Sequence, residues 1–170
     1  IYTPYVLNTT ISFEYEPPSL SEFTERISNI SSKYPYLVYE RNGKLLGFAY
    51  GSSYQERIAY LYDADLSIYL APDAQNSGIG KKLYSCLLDL LQKQGFYNVY
   101  ACITANNQRS IDFHAAFGFR NLGPHPKAGY KFGQWLDIIW MDKQLQQPDG
   151  SPQPLKPIDG FNNNDILKLF

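Results

Sequence analysis

Leu70-Ala-Pro-Asp-Ala-Gln75-Asn-Ser-Gly78-Ile-Gly80-Lys81-Lys82 is the stretch on which the fold turns. Ahead of it, Ile58 to Leu70 is a run rich in Tyr, Leu and Ile that reads as one long strand ended by Pro72. Behind it, Ile79, Leu83, Cys86, Leu87, Leu90 and Leu91 keep helical spacing from about Gly78 to Gln94, and Gly95 closes the helix. A strand therefore runs into a glycine-bearing loop that opens a helix. Such a loop leaves backbone N–H groups unpaired at the positive end of a helix dipole, and glycines let a phosphate approach them. The expected partner is a phosphate or pyrophosphate. A P-loop would need glycine where Gln75 stands and Ser or Thr where Lys82 stands. A dinucleotide fingerprint would need a small residue at Leu83. What remains is Gln75-x-x-Gly78-x-Gly80 directly after a strand.

Working outward, the chain alternates helical and extended signals. Ser19 with Glu22 three residues on forms a capping box before a helix to about Lys33. Tyr36 to Glu40 and Leu45 to Tyr54 are strand-like and flank Asn42-Gly43, a hairpin signal. Val99 to Thr104 reads as a strand, Gln108 to Phe117 as a helix stopped by Gly118, and Gln134 to Leu145 as the last strand. His125, between Pro124 and Pro126, reads as a loop residue. The order α, three strands, α, β, α, β predicts a mixed α/β sandwich with helices on both faces of one sheet. Residues 1–146 form one domain in this reading, and 147–170 a proline-rich, extended tail carrying Pro148, Pro152, Pro154 and Pro157. Phe161 to Phe170 reads equally as a short terminal element or an extension.

Composition narrows the function classes. A chain of 170 residues with 44% hydrophobic and 18% charged residues has enough apolar material for one core and too little charge for disorder. A net charge of −1 excludes a nucleic-acid binder working through a bulk basic field. No apolar run approaches the roughly 18 residues of a membrane span, so no membrane partner and a cytoplasmic location are expected. Two cysteines, Cys86 and Cys102, and two histidines supply neither a disulfide framework nor a zinc site, so both thiols are read as free and buried and no metal is expected. The aromatic fraction of 16% suits a lined cleft, an interface or a β-rich core.

Other segments carry a resemblance. Asn107-Gln-Arg-Ser110-Ile-Asp-Phe-His114-Ala-Ala-Phe-Gly-Phe119, Tyr34-Pro-Tyr-Leu-Val38, Ala59-Tyr60, Gln94-Gly95-Phe96 and Gly129-Tyr-Lys131-Phe-Gly-Gln-Trp-Leu-Asp137 join the glycine loop. Together they resemble the GNAT superfamily of N-acetyltransferases, in its phosphinothricin and methionine-sulfoximine acetyltransferase branch, from about Tyr5 to Ile158. That family begins with another strand and most of a helix before the Ile1-Tyr2-Thr3-Pro4-Tyr5 seen here. With Met141 as the single methionine, a preceding piece is expected.

The resemblance implies an α/β (α+β) fold with a mostly antiparallel central sheet and a splayed strand pair that holds acetyl-CoA. Its pyrophosphate falls to Gln75, Asn76, Ser77, Gly78, Ile79, Gly80 and Lys81. Its pantetheine arm falls to Ile68, Tyr69 and Leu70, with Asn107 and Ser110 opposite. The Leu70 N–H would polarise the thioester carbonyl. The family's catalytic Glu falls on Asp65, one methylene shorter, with Asp63 on the same strand face able to share the role. Adjacent like charges would raise one carboxyl pKa. His114 stands where many relatives carry a thiolate-protonating Tyr, and the sulfoximine branch carries His. An amino-acid acceptor needs a cation for its carboxylate; Arg57 and Lys131 are candidates, or equally surface charges, with Tyr60 beside them. The branch normally follows Ala-Tyr with a polar residue and Trp, whereas this chain has Leu61-Tyr62. The expected activity is acetyl transfer to the amine of a small amino-acid-like substrate by a homodimer. The alternatives are a GNAT enzyme acting on a peptide N-terminus, polyamine or antibiotic, or a non-catalytic acyl-CoA-binding module.

Overall fold

A computed structural model describes residues 1–161; residues 162–170, and with them most of the Phe161 to Phe170 expectation, lie outside the described part. One six-stranded sheet runs in the order β1-β2-β3-β4-β6-β5, from β1 (Tyr36–Arg41), β2 (Lys44–Ser53), β3 (Asp63–Leu70), β4 (Asn98–Thr104), β5 (Arg120–Lys131) and β6 (Gln134–Gln144). Every neighbouring pair is antiparallel except β3 and β4, which are parallel and joined through α3 (Ile79–Gln94). Helix α3 buries Leu83, Leu87, Leu90 and Leu91 against the sheet, where Gly47, Ala49 and Gly51 of β2 give it room. Each such leucine contributes roughly 1.5–3 kcal/mol of burial. Helix α4 (Gln108–Ala116) lies on the same side, packing Phe113 and His114 around Tyr84 of α3.

The opposite face is covered by α1 (Thr3–Asn8) and α2 (Leu20–Ser31). Phe23 of α2 meets Phe48 of β2, and Tyr2 and Tyr5 meet Tyr69 of β3 edge-on. Ser19 and Glu22 form the expected capping box, and Asn42 and Gly43 both take positive φ, the turn that their pairing in a two-residue hairpin requires.

Three expectations are corrected, and one helix is added. Ile58 to Leu70 is not one strand: Ile58–Tyr60 is a 3-10 turn, and β3 begins at Asp63, because β2 ends at Ser53 opposite Ala64 and leaves nothing further to pair with. His125, read as a loop residue, lies in strand β5 (Arg120–Lys131), a stretch given no element from the sequence, and pairs with Ile138. As a sheet edge β5 tolerates Pro124 and Pro126, with register shifts around them. Helix α1 went unread because six residues bury only Val6 and carry no side-chain cap. Of the two free thiols, Cys86 is buried and Cys102 exposed.

The segment after β6 returns to the end of α3. Buried Gln94 donates from Nε2 to both Lys33 O and Lys156 O, and Lys156 N–H donates to Gln94 O at 2.8 Å.

Candidate active site

The site is built around an interruption in the sheet. β3 and β4 pair only through Asp63, Ala64 and Asp65 with Asn98, Val99 and Tyr100, and then part. Asp65 is thus the last paired residue, at the vertex of a wedge. Ala71 N–H bonds back to Leu46 O beside β2, so alternation along β3 turns the N–H and C=O of Leu66, Ile68 and Leu70 towards the gap. Leu66 to Tyr69 line one wall of the gap, Ala101 to Thr104 the other, and Asn107, Ser110 and His114 close it from α4. An unpaired strand edge facing an unpaired strand edge is a place for an extended chain with its own amide groups.

At its wide end the gap opens into a cavity of about 230 Å³ lined by Tyr5, Ile68, Leu70, Gln75, Gly80, Asn107, Arg109 and Phe113 among others. The glycine loop forms one rim. Gly78, with φ +83°, starts α3 with no side-chain cap, which leaves the first N–H groups of a 16-residue helix without a side-chain partner. A Cβ on Gly80 would lie 3.1 Å from Leu70 Cδ1 and project among the lining residues. The expected loop residues are therefore together: Gln75, Asn76, Ser77, Gly78, Ile79 and Gly80 turn around the mouth. Ile79 is buried, and Lys81 is exposed on the first turn. Asn107 Oδ1 caps α4 through Ser110 N–H at 3.2 Å, so its Nδ2 is the part left for a ligand.

On the other face, a second cavity of about 490 Å³ is lined by Tyr2, Ile11, Ser12, Phe13, Glu14, Tyr69, Cys102, Thr104 and Ile138. Asp65, Ser67 and Tyr69 point to this face, since they alternate with Ala64, Leu66 and Ile68 on the α3 side. Asp65 takes a bond from the Leu66 N–H, while its Oδ1 is buried without a partner. Burial raises its pKa from the ordinary carboxylate range to about 7. The adjacent Asp63 is not the cause: it accepts from Asn98 Nδ2 at 2.9 Å and belongs to the β3–β4 joint. A carboxylate half-ionised near neutrality, with one bare oxygen, is suited to take a proton from a bound group.

Around the vertex stands an aromatic group that sequence reading missed. Tyr54 stacks on Tyr100 at 3.9 Å between ring centroids and meets Tyr60 and Trp140 edge-on. Tyr100 and Trp140 lie 46 and 86 positions from Tyr54, beyond the reach of any local pattern; only Tyr60 is near it in sequence. Equally invisible in the sequence were Arg109 at the loop and the Glu14–Arg26 pair at 2.6 Å, which joins the second cavity to α2.

Three expected roles do not survive the geometry. Lys131 does not anchor a carboxylate: the residue is 2% exposed and its ammonium donates to Val6 O, Thr9 O and Ser12 O at 2.6–2.9 Å, holding the end of α1. Leu70 cannot polarise a carbonyl beside Asp65, because five residues of strand separate them by about 17 Å; its own C=O accepts from Tyr5 Oη. His114 is not a ready acid: it is buried, burial lowers its pKa, and the Ser110 carbonyl 2.7 Å away requires the proton on Nδ1, leaving Nε2 a lone pair. Arg57 is exposed at the start of the 3-10 turn, three residues before Tyr60.

Comparison with known proteins identifies the family. The family described as "Acetyltransferase (GNAT) domain" matches residues 1–140. A phosphinothricin N-acetyltransferase of Alcaligenes faecalis is 37% identical over 151 residues, covering 88% of this chain and 77% of that protein. An L-methionine sulfoximine/L-methionine sulfone acetyltransferase of Salmonella typhimurium is 36% identical over 67% of this chain and 66% of its own length. The crystal structure of a GNAT superfamily phosphinothricin acetyltransferase from Sinorhizobium meliloti, in complex with AcCoA, superposes with a TM-score of 0.85 at 36% identity, covering 93% of this chain and 89% of that one.

Proposed function

Because the chain belongs to the GNAT family and is an N-acetyltransferase, we propose that it transfers acetyl from acetyl-CoA to the amine of a small amino-acid-like substrate of the phosphinothricin or methionine sulfoximine type. The observation that carries this reading is Asp65 Oδ1: a buried, unpartnered carboxylate oxygen on the last β3 residue paired with β4, at the vertex of the wedge.

The donor fits the residues present. The N-terminus of α3, opened by Gly78 and Gly80, receives the pyrophosphate. The pantetheine amides complete the β3 edge, with Asn107 Nδ2 and Ser110 opposite. At the inner end the Leu66 N–H is taken by Asp65, so the Ile68 N–H is the free donor for the thioester carbonyl oxygen, where negative charge develops. Asp65 takes one proton from the incoming ammonium; the amine forms the C–N bond as the C–S bond breaks, and its second departing proton ends on the sulfur. Asp65 returns its proton to water. Neutral His114, with Nδ1 fixed by Ser110 O, offers Nε2 as an acceptor lining the wedge. Tyr60 belongs to the aromatic group at the vertex, and Arg57 is the carboxylate anchor kept from the sequence.

We place the reaction in the cytoplasm and in a homodimer. Among the described residues no helix is long and apolar enough to cross a membrane. Tyr130, Phe132 and Trp135, at the tip of the β5–β6 hairpin, are 49–61% exposed and have the composition of an interface centre. Light scattering at micromolar concentration tests the dimer, and a monomer would refute it.

The test of function is a thiol-release assay with acetyl-CoA and a panel comprising phosphinothricin, methionine sulfoximine, methionine sulfone, an N-terminal peptide, a polyamine and an aminoglycoside. Turnover confined to the first three supports the reading. Turnover confined to another amine assigns a different acceptor, and donor binding without any turnover refutes catalysis.

A further inference from the structure

Arg109 is a cation set at the mouth of the donor cavity with no anion to hold. Its guanidinium donates to Gln75 Oε1 at 2.5 Å and to Asn76 Oδ1 at 3.0 Å, both neutral amide oxygens of the glycine loop. Among the described residues no carboxylate pairs with it in a salt bridge. Arg26 holds Glu14 and Arg120 holds Asp142, whereas Arg41, Arg57 and Arg109 form no salt bridge among the described residues; what sets Arg109 apart is its place on the glycine loop. Arg109 also lines the 230 Å³ cavity beside Gly80, Gln75 and Asn107.

The two hydrogen bonds fix where that charge stands. Gln75 passes the contact inward, since its Nε2 donates to Tyr5 Oη and Tyr5 donates to Leu70 O. Helix α4, the loop, α1 and β3 are thus tied around one opening. Asn76 is held in a left-handed conformation, φ +61°, and its side-chain oxygen faces the guanidinium. A guanidinium carries five N–H donors in a planar fork, and two amide oxygens leave donors over. Its full positive charge is uncompensated, a few residues from an uncapped helix N-terminus of the same sign. Such an arrangement favours a phosphate over any neutral ligand.

We propose that Arg109 binds a phosphate of the acyl donor directly, as a clamp on the side of the loop opposite the α3 N-terminus. This rests on the reading of the wedge as an acyl-CoA site. It assigns to α4 a part in donor affinity that the motif residues Asn107 and Ser110 do not express. The chemistry is shared by the pyrophosphate and the 3′-phosphate of CoA, which different donors separate.

The experiment measures steady-state kinetics of wild type, Arg109→Gln and Arg109→Lys with acetyl-CoA, acetyl-3′-dephospho-CoA and S-acetylpantetheine. For Arg109→Gln the KM for acetyl-CoA rises about tenfold or more, the loss expected of a charged hydrogen bond, while kcat stays within about twofold. Arg109→Lys recovers part of the affinity, because it restores the charge without the fork. With S-acetylpantetheine, which has no phosphate, wild type and Arg109→Gln have the same kcat/KM. A KM rise that persists with the dephospho donor assigns the contact to the pyrophosphate, and one that vanishes there assigns it to the 3′-phosphate. An equal loss with S-acetylpantetheine makes Arg109 a brace for the loop and overturns the proposal, as does an unchanged KM for acetyl-CoA. If wild type turns over no acetyl donor at all, it is the underlying functional reading that fails.

Discussion

Two charged side chains of this molecule, Lys131 and Asp65, are treated in opposite ways. Lys131 is sealed at the end of β5 with its three N–H donors aimed at three backbone carbonyls. Asp65 is sealed at the vertex of β3 and β4 with one oxygen on the Leu66 N–H and the other on nothing. The lysine's bonds satisfy orphan carbonyls where α1 ends, so its charge works as part of the scaffold. The carboxylate's missing bond leaves a desolvation cost in the free protein, which a proton or a bound ammonium relieves. A satisfied buried charge marks architecture; an unsatisfied one marks a place kept for something else.

The largest expected effect breaks this contrast at the acid. Asp65→Asn should cut kcat by about 10²-fold or more, the range of general acid–base catalysis. Its melting temperature should not fall, because the variant removes an unpaired charge. Full activity with Asp65→Asn, together with an inactive Asp63→Asn, would move the base to the neighbouring carboxylate.

Breaking the contrast at the base should do the reverse. Lys131→Met leaves three carbonyls without their donor and should cost about 3 kcal/mol or more of unfolding free energy, read from denaturant midpoints. The kcat of the folded fraction should stay near wild type. A stable variant that has lost amino-acid selectivity would reinstate Lys131 as a substrate anchor.

The pH dependence sharpens the comparison with smaller numbers. Asp65 is raised to about 7 from an ordinary value near 4, so the folded state holds its proton more tightly than the unfolded chain does. Its contribution is fully present below pH 4 and is lost as pH rises through about 7, a change of at most about 4 kcal/mol. Thermal melts from pH 5 to 8 should show wild type losing stability relative to Asp65→Asn. Over the same window wild-type kcat/KM should rise as Asp65 ionises, and a profile without that limb would deny Asp65 the proton.

The smallest effect belongs to Asp63→Asn. Its partner Asn98 Nδ2 keeps an amide oxygen to donate to, so stability should change by about 1 kcal/mol or less and turnover by less than about threefold.

What the sequence made legible was local. Ser19 and Glu22, Asn42-Gly43 and the leucine spacing of α3 each fix a structure within a few residues, and all three stand where expected. The glycine loop was readable for the same reason. The edge strand β5 was not, since Pro124 and Pro126 resemble loop signals until the sheet order makes them edge residues. Asp65 could be singled out by resemblance, but its special state depends on the pairing with Tyr100 that ends the β3–β4 contact. No window of sequence contains both partners. Lys131 misled for the mirror reason: a lysine among exposed aromatics looks free, and only the fold brings the end of α1 over it.

The short joint between β3 and β4 has a consequence for the lifetime of the protein. Three residue pairs are all that stitch the β1-β2-β3 leaf to the β4-β6-β5 leaf by ladder pairing. With a donor lying along the open edges, as proposed, both leaves gain a strand that the gene does not encode. Mass action then makes folding free energy a function of metabolite supply, about 2.7 kcal/mol at a hundred times the dissociation constant. Degradation that proceeds through opening of the leaves would slow when acyl donor is plentiful and quicken when it is scarce. The enzyme's abundance would follow its own cosubstrate with no separate sensor.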